Sequence, residues 1–299
     1  LGIFAPHWPP YLLSLGLTPV QLGSVTAVFF GARIVAPLFW GWLADVSGRR
    51  VLVTRVAAFI TFITFCAIFR YQSYQALLLI TLGYSAFWTA TLPQFEAITL
   101  NALKGREQHY GRVRLWGSVG FVVVALVTGL ARERYGPQAV PIIAAITLAC
   151  IWFCTFLVAE QPRHALTQKS AGLRAVLRQP AVLALLLMCF FLQLAHAPYY
   201  VFFSVYLEQR GYSETAVSLL WNLGVVAEIV LFIVMTRLLP RYGIIRLFQV
   251  TVLLSALRWF MLGYNIDFLP WLVLAQVLHM VSFGLYHATA VHVINQYFT

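Results

Sequence analysis

Along this chain apolar residues come in runs of about twenty, each closed by a short polar or basic segment, with little of the polar face that a water-exposed helix carries. A run of that length crosses the roughly 30 Å hydrocarbon core of a bilayer as one α-helix. The pattern predicts ten such segments, at about 1–16, 20–44, 51–70, 74–100, 112–131, 137–158, 180–207, 213–238, 245–264 and 268–298. The longest must tilt or protrude. The expected fold is all-α and polytopic. Leu1 already lies inside an apolar run and Thr299 just past one, so a piece of a longer chain is expected.

Composition agrees with this class. Hydrophobic residues make up 61% of the chain and charged residues 10%, with a mean hydropathy of +0.83. A soluble domain carries about 25% charged residues. The net charge of +11 does not point to nucleic acid, because the basic residues sit in the short links where membrane topology is encoded. Placing the link after the second span inside assigns fourteen of the twenty Lys and Arg to that side and four to the other, with Arg33 and Arg258 inside spans. The N-terminus is then expected to be cytoplasmic. Cys66, Cys150, Cys154 and Cys189 all fall within spans without ligand spacing, so they read as packing residues, and neither metal nor cofactor is expected.

The informative positions are charges in the wrong solvent. Glu96, Glu228, Arg33 and Arg258 lie within apolar runs, where a charge costs about 2.5 kcal/mol or more. Such groups pair with one another or face a wet path, so passage of a solute is expected. The longest polar stretch, 159–179, divides the chain into a first six-helix bundle, 1–158, and an incomplete second bundle, 180–299. The halves echo one another at an offset of 195: Leu15-Gly16-Leu17-Thr18 with Arg210-Gly211-Tyr212-Ser213, Gly48 with Gly243, and Arg33 with Glu228. Parallel repeats of this kind are expected of a transporter with its substrate site near the midplane between the halves. His196, just before Ala197-Pro198, is placed to donate to backbone carbonyls freed by a helix break.

Between the second and third spans stands Gly41-Trp42-Leu43-Ala44-Asp45-Val46-Ser47-Gly48-Arg49-Arg50. Its glycines suit close helix approach and a tight reversal, and Asp45 can pair with an Arg and accept from a neighbouring helix N-terminus. The segment resembles the signature loop of the major facilitator superfamily. That likeness implies a fold of twelve helices, about ten of them present here, and a cytoplasmic latch carried by Gly41, Asp45, Gly48, Arg49 and Arg50. The segment Tyr110-Gly111-Arg112-Val113-Arg114-Leu115-Trp116-Gly117, with Glu96 eighteen residues before Arg114, is similar to the lactose permease branch. There a carboxylate and an Arg on neighbouring helices bind substrate. Glu228, Arg258 and Leu278-His279-Met280 likewise resemble that branch's proton machinery. Three positions after His279, however, Ser282 replaces the titrating carboxylate, so Glu228 becomes the candidate proton carrier, with His279, His287 and His292 able to share or relay the proton.

The stretches Pro6-His7-Trp8-Pro9-Pro10-Tyr11 and Arg33-Ile34-Val35-Ala36-Pro37 bring the pattern closer still to the phenylpropionate permease family of bacterial inner membranes. The resemblance implies proton symport of a small organic solute across the plasma membrane by a monomer. For an aromatic carboxylate, Arg114 or Arg33 would receive the anion, and Trp8, Phe30, Trp88, Trp116 or Tyr199 would hold the ring. A sugar or nucleoside symporter, in which Glu96 accepts from hydroxyls, and an uncoupled facilitator are the alternatives. The chain has no His-Glu zinc helix, no Gly-x-Ser-x-Gly elbow and no phosphate-cradling glycine loop, which argues against an enzyme or an ATP-driven pump.

Overall fold

The computed structural model describes residues 1–103, 109–160, 178–264 and 266–298, with the backbone alone for Thr236, His292 and 294–298. Most of the expected linker therefore lies outside the described residues, as does the side chain of His292. Among the described residues eleven α-helices follow one another: α1 (Trp8–Ser14), α2 (Pro19–Ser47), α3 (Arg50–Cys66), α4 (Tyr74–Ala102), α5 (Tyr110–Tyr135), α6 (Ala139–Cys154), α7 (Pro180–Gln209), α8 (Glu214–Tyr242), α9 (Ile244–Tyr264), α10 (Leu269–Val277) and α11 (Tyr286–Phe298). A π-helical segment, Met280–Leu285, joins α10 to α11. Short 3₁₀ turns, Ala67–Phe69 and Thr155–Leu157, extend α3 and α6.

Nine segments among the described residues are long and apolar enough to span a bilayer, the last running from Leu269 to Val291. The first expected span differs. Residues 2–7 are turns, and α1 is only seven residues long. Pro6, Pro9 and Pro10 lack N–H donors, which interrupts a continuous helix there.

Side chains are distributed inside out relative to a soluble protein. Ile34, Leu38, Leu79, Ile233 and Leu253 are each at least 70% exposed, whereas Gln94, Thr128, Arg258 and Gln276 are at most 2% exposed. Lipid tails solvate the outward aliphatic side chains as well as a core would, so helix association rests on packing and internal hydrogen bonds.

The helices group into two compact units, one comprising Leu1, Ile3–Gly117 and Leu130–Ala165, the other Gly2, Ser118–Gly129 and Leu166–Thr299. In the first, α4 packs along both α2 and α3. Phe4 centres a ring cluster there, with centroids 5.2 Å from Trp8, 5.9 Å from Phe29, 5.9 Å from Phe65, 5.8 Å from Tyr84 and 4.9 Å from Trp88. Each such pair contributes about 0.5–1.5 kcal/mol beyond its burial. In the second unit the π segment packs between α8 and α9, and Asn222 Nδ2 donates to the Val122 carbonyl at 3.0 Å.

The repeat at offset 195 has a conformational counterpart. Gly16 and Gly211 turn with φ of +87° and +83°, a region that L side chains avoid. Two residues later Thr18 and Ser213 cap α2 and α8, accepting from Gln21 N–H at 3.3 Å and Ala216 N–H at 3.2 Å. Gly48 and Gly243 close the same two helices, again at positive φ. What repeats is the punctuation of a helix, entry and exit alike.

Candidate functional site

The loop between α2 and α3 holds its charges together. Asp45 pairs with Arg50 Nη2, and Arg50 Nη1 donates to Gln94 Oε1 on α4 at 2.9 Å. Gln94 is buried and donates in turn to the Trp40 carbonyl at 3.5 Å. Two expectations need correction. Asp45 does not take the N-terminal amides of α3. Glu160 does, accepting from Val51 N–H at 3.1 Å with either carboxylate oxygen and from Leu52 N–H at 3.3 Å. Nor does Gly41 mark a close approach, since a Cβ there would meet nothing within 4 Å, whereas Gly48 does provide the reversal in the left-handed conformation. Arg55 answers Glu160 from the other side: its Nη2 donates to the Thr155 carbonyl at 3.2 Å and its guanidinium lies 4.4 Å from the Phe156 ring. Each of α3 and α6 thus finishes the other's end, at the helix poles where such charges are favoured.

Further into the first unit, Arg114 Nη1 donates to Glu96 Oε1 at 2.7 Å, bringing α5 and α4 together with both side chains partly exposed. Tyr110 lies close enough to interact with both. Of the other expected contacts, Trp8 sits buried in the ring cluster, Arg33 is exposed with its guanidinium 5.9 Å from the Phe30 ring, and Trp116 is 74% exposed.

The second unit carries the denser constellation. Glu228 on α8 accepts from His279 Nε2 at 2.8 Å, with side-chain exposures of 13% and 6%. Two glycines make room. A Cβ at Gly224 would approach the His279 ring to 3.2 Å, and one at Gly284 would come within 3.3 Å of Glu228 Cγ. The expected hydrogen-bonded pairing of Glu228 with an Arg is therefore replaced by pairing with His279. Arg258 and His287 remain within electrostatic reach of the carboxylate. The His279 ring stacks on Phe283 with centroids 5.6 Å apart, and Phe283 stacks on His287 at 6.1 Å. Arg258, at 0% exposure, donates from Nε to the Ala275 carbonyl at 3.0 Å and from Nη1 to Ser282 Oγ at 3.1 Å. Its guanidinium lies 4.3 Å from the Tyr199 ring and 4.6 Å from the Trp259 ring. Tyr199 donates to Gln276 Oε1 at 2.8 Å.

His196 Nδ1 does donate to a backbone carbonyl, at 2.7 Å, but to that of Leu192. The carbonyl released by Pro198 is four residues before the proline, at Leu194, so the proline does not explain this bond. Sequence reasoning gave no individual role to Gln94, Tyr110, Glu160, Trp259 or Gln276. Gln94 and Gln276 carry the signal that singled out the charges, a polar side chain within an apolar run. Glu160 carries none, because its partners are backbone amides far away in sequence.

A buried carboxylate–histidine pair, a buried arginine and a second acid–arginine pair, all within membrane-spanning helices, are the equipment of a solute pathway. The sequence matches the MFS_1 like family over residues 1–299. The chain belongs to the major facilitator superfamily. This major facilitator protein is 32% identical over 305 residues to the "Probable 3-phenylpropionic acid transporter" of Escherichia coli (strain K12), covering 98% of the chain and 78% of that relative. It is 27% identical to the maltose permease of Geobacillus stearothermophilus, covering 92% of the chain and 70% of the permease. Its fold superposes on the crystal structure of the nucleoside transporter NupG with a TM-score of 0.80 at 18% identity, covering 99% of the chain and 78% of that structure. It is a multi-pass membrane transporter of the major facilitator type, not an enzyme.

Proposed function

We propose that this transporter is a symporter that couples uptake of a small organic acid to protons by alternating access. The observation that carries the reading is the Glu228–His279 pair, 2.8 Å apart and largely enclosed. A carboxylate and an imidazole sharing one hydrogen bond can take up a proton and release it as the surroundings change. Glu228 replaces the acid that Ser282 removes from the resembled machinery, and His287 extends the proton path along the stacked rings. Glu96 and Arg114 bind the solute along its route, with Tyr199, Trp8, Trp116 and Arg33 as further contributors. The Asp45–Arg50 loop, with Gly41, Gly48 and Arg49, acts as the cytoplasmic latch. Residues 1–158 and 180–299 serve as the two bundles, joined through 159–179, in a bacterial inner membrane with the N-terminus cytoplasmic.

An aromatic carboxylate is favoured as the solute by the 32% identity to the 3-phenylpropionic acid transporter. The second reading, a sugar or nucleoside, draws on Glu96, whose partly exposed carboxylate suits hydroxyl recognition, and on the maltose permease relative. The test uses the full-length protein in proteoliposomes. Glu228→Gln is expected to abolish proton-driven accumulation of 3-phenylpropionate while leaving exchange intact. Undiminished accumulation would remove Glu228 from the proton path.

A further inference from the structure

We infer that Arg258 is the centre of an anion-receiving site in the second unit, completed by Trp259 and Gln276, and that its occupant is a carboxylate of the transported solute. The inference deepens the proposed symport and rests on it for the source of the anion.

Arg258 is enclosed at 0% exposure, yet its two hydrogen-bond acceptors, the Ala275 carbonyl and Ser282 Oγ, are both neutral. Its remaining nitrogen, Nη2, is buried with no hydrogen-bond partner among the described residues. Trp259 Nε1 and Gln276 Nε2 are buried and unpartnered in the same way. The three donors belong to one cluster. The Arg258 guanidinium lies 4.6 Å from the Trp259 ring and 4.3 Å from the Tyr199 ring. Tyr199 in turn anchors Gln276 by donating to its Oε1 at 2.8 Å, which commits the amide oxygen and leaves the amide nitrogen to donate elsewhere.

A buried cation with only neutral acceptors, beside three donor nitrogens that have none, is costly, because buried polar groups in folded chains are nearly always satisfied. A carboxylate would answer the guanidinium's open edge, with the Trp259 and Gln276 donors in the same cluster. Glu228 is within electrostatic reach but hydrogen-bonded to His279, and Ser282 supplies an acceptor without a charge. The compensating charge is therefore brought by the ligand. A carboxylate suits a guanidinium edge better than a hydroxyl does, since it is charged and offers two oxygens. Chloride shares the charge without the shape.

Calorimetry on the full-length protein separates these sources. The wild type is titrated with 3-phenylpropionate, with neutral 3-phenylpropanol and with chloride, in methanesulfonate buffer. The expected result is at least about tenfold tighter binding of the acid than of the alcohol, the ratio associated with one charged hydrogen bond. Arg258→Gln is expected to abolish that preference. Trp259→Phe keeps a ring but removes one donor, and is expected to weaken the acid by about 3- to 10-fold while sparing the alcohol. Thermal melting of each variant shows whether it folds, and Trp259→Phe carries the test if Arg258→Gln does not.

An acid preference that survives both substitutions but disappears in Arg114→Gln would move the carboxylate to the first unit, overturning the inference while leaving symport standing. Arg258-dependent binding of chloride alone, or no anion binding by the wild type, would also overturn it. Loss of proton-driven uptake belongs to a different measurement and would count against the symport reading instead.

Discussion

Gly224→Ala places one methyl group against the centre of the proposed proton site. The new Cβ would stand 3.2 Å from His279 Cδ2, 3.4 Å from its Cβ and 3.5 Å from its Cγ. Carbon atoms settle at about 3.5–4.0 Å, so the imidazole must retreat by about 0.3–0.8 Å. Phe283, parallel at 5.6 Å, and Tyr199, tilted at 5.5 Å, restrict where it can go. The bond to Glu228, now 2.8 Å, would stretch to about 3.1–3.6 Å, from the long edge of the hydrogen-bonding range to beyond it, and at the far end it is lost. Losing a charge-assisted bond costs about 1.5–3 kcal/mol. Alanine for glycine inside a helix returns about 1 kcal/mol. The net effect is a loss of about 0.5–2 kcal/mol from these two opposing contributions. Thermal melting of the full-length protein and proton-driven accumulation in proteoliposomes read the two consequences separately. Melting temperature and accumulation are both expected to fall while exchange persists. A raised melting temperature with undiminished accumulation would mean that helix propensity alone governs the site and that the Glu228–His279 contact does not matter.

Other substitutions probe the supports. Gly211→Ala meets no atom within 4 Å yet sits at φ +83°, so it isolates backbone strain and should cost about 1–2 kcal/mol in denaturation. Gly41→Ala, equally uncrowded but helical, should be neutral or up to about 1 kcal/mol stabilising in the same measurement. Glu160→Ala removes the acceptor for two α3 amides, and hydrogen exchange at Val51 and Leu52 should quicken by roughly 5- to 10-fold, equivalent to about 1 kcal/mol of capping. Gln94→Leu should leave Arg50 with Asp45 alone and cost about 1–2 kcal/mol, seen as a lower melting temperature.

The legible part of this molecule was whatever depends on the solvent. Of the ten apolar runs expected, nine correspond to membrane-length helices among the described residues, because bilayer thickness sets their length whatever the neighbours are. The same contrast marked Glu96, Glu228, Arg33 and Arg258, and three of these four are held by hydrogen bonds, Glu96 with Arg114, Glu228 with His279 and Arg258 with Ala275 and Ser282, where a charge needs help in hydrocarbon. Which acid would meet which base was not legible. Glu228 was expected beside an arginine, and it lies beside His279 because Gly224 and Gly284 clear the space, a condition visible only once α8 and the π segment are packed. The short first helix has another reason: hydrophobicity counts Trp8 and Tyr11 toward a span, while Pro9 and Pro10 occupy the first turn of α1 and cannot donate to a helix running in from residues 2–7. Glu160 shows a third limit, since a capping carboxylate leaves no pattern when it serves a helix more than a hundred residues away.

The π-helical turn from Met280 to Leu285 winds one more residue per turn than an α-helix would. In an α-helix, side chains four apart drift by about 40° at each step. Here His279, Phe283 and His287 come into line, with successive rings only 5° and 2° from parallel. Shortening this segment by a single residue and letting it relax to ordinary pitch would set the two imidazoles seven residues apart, only about 20° out of line, so the wide turn accommodates one extra residue without changing the face that the histidines share.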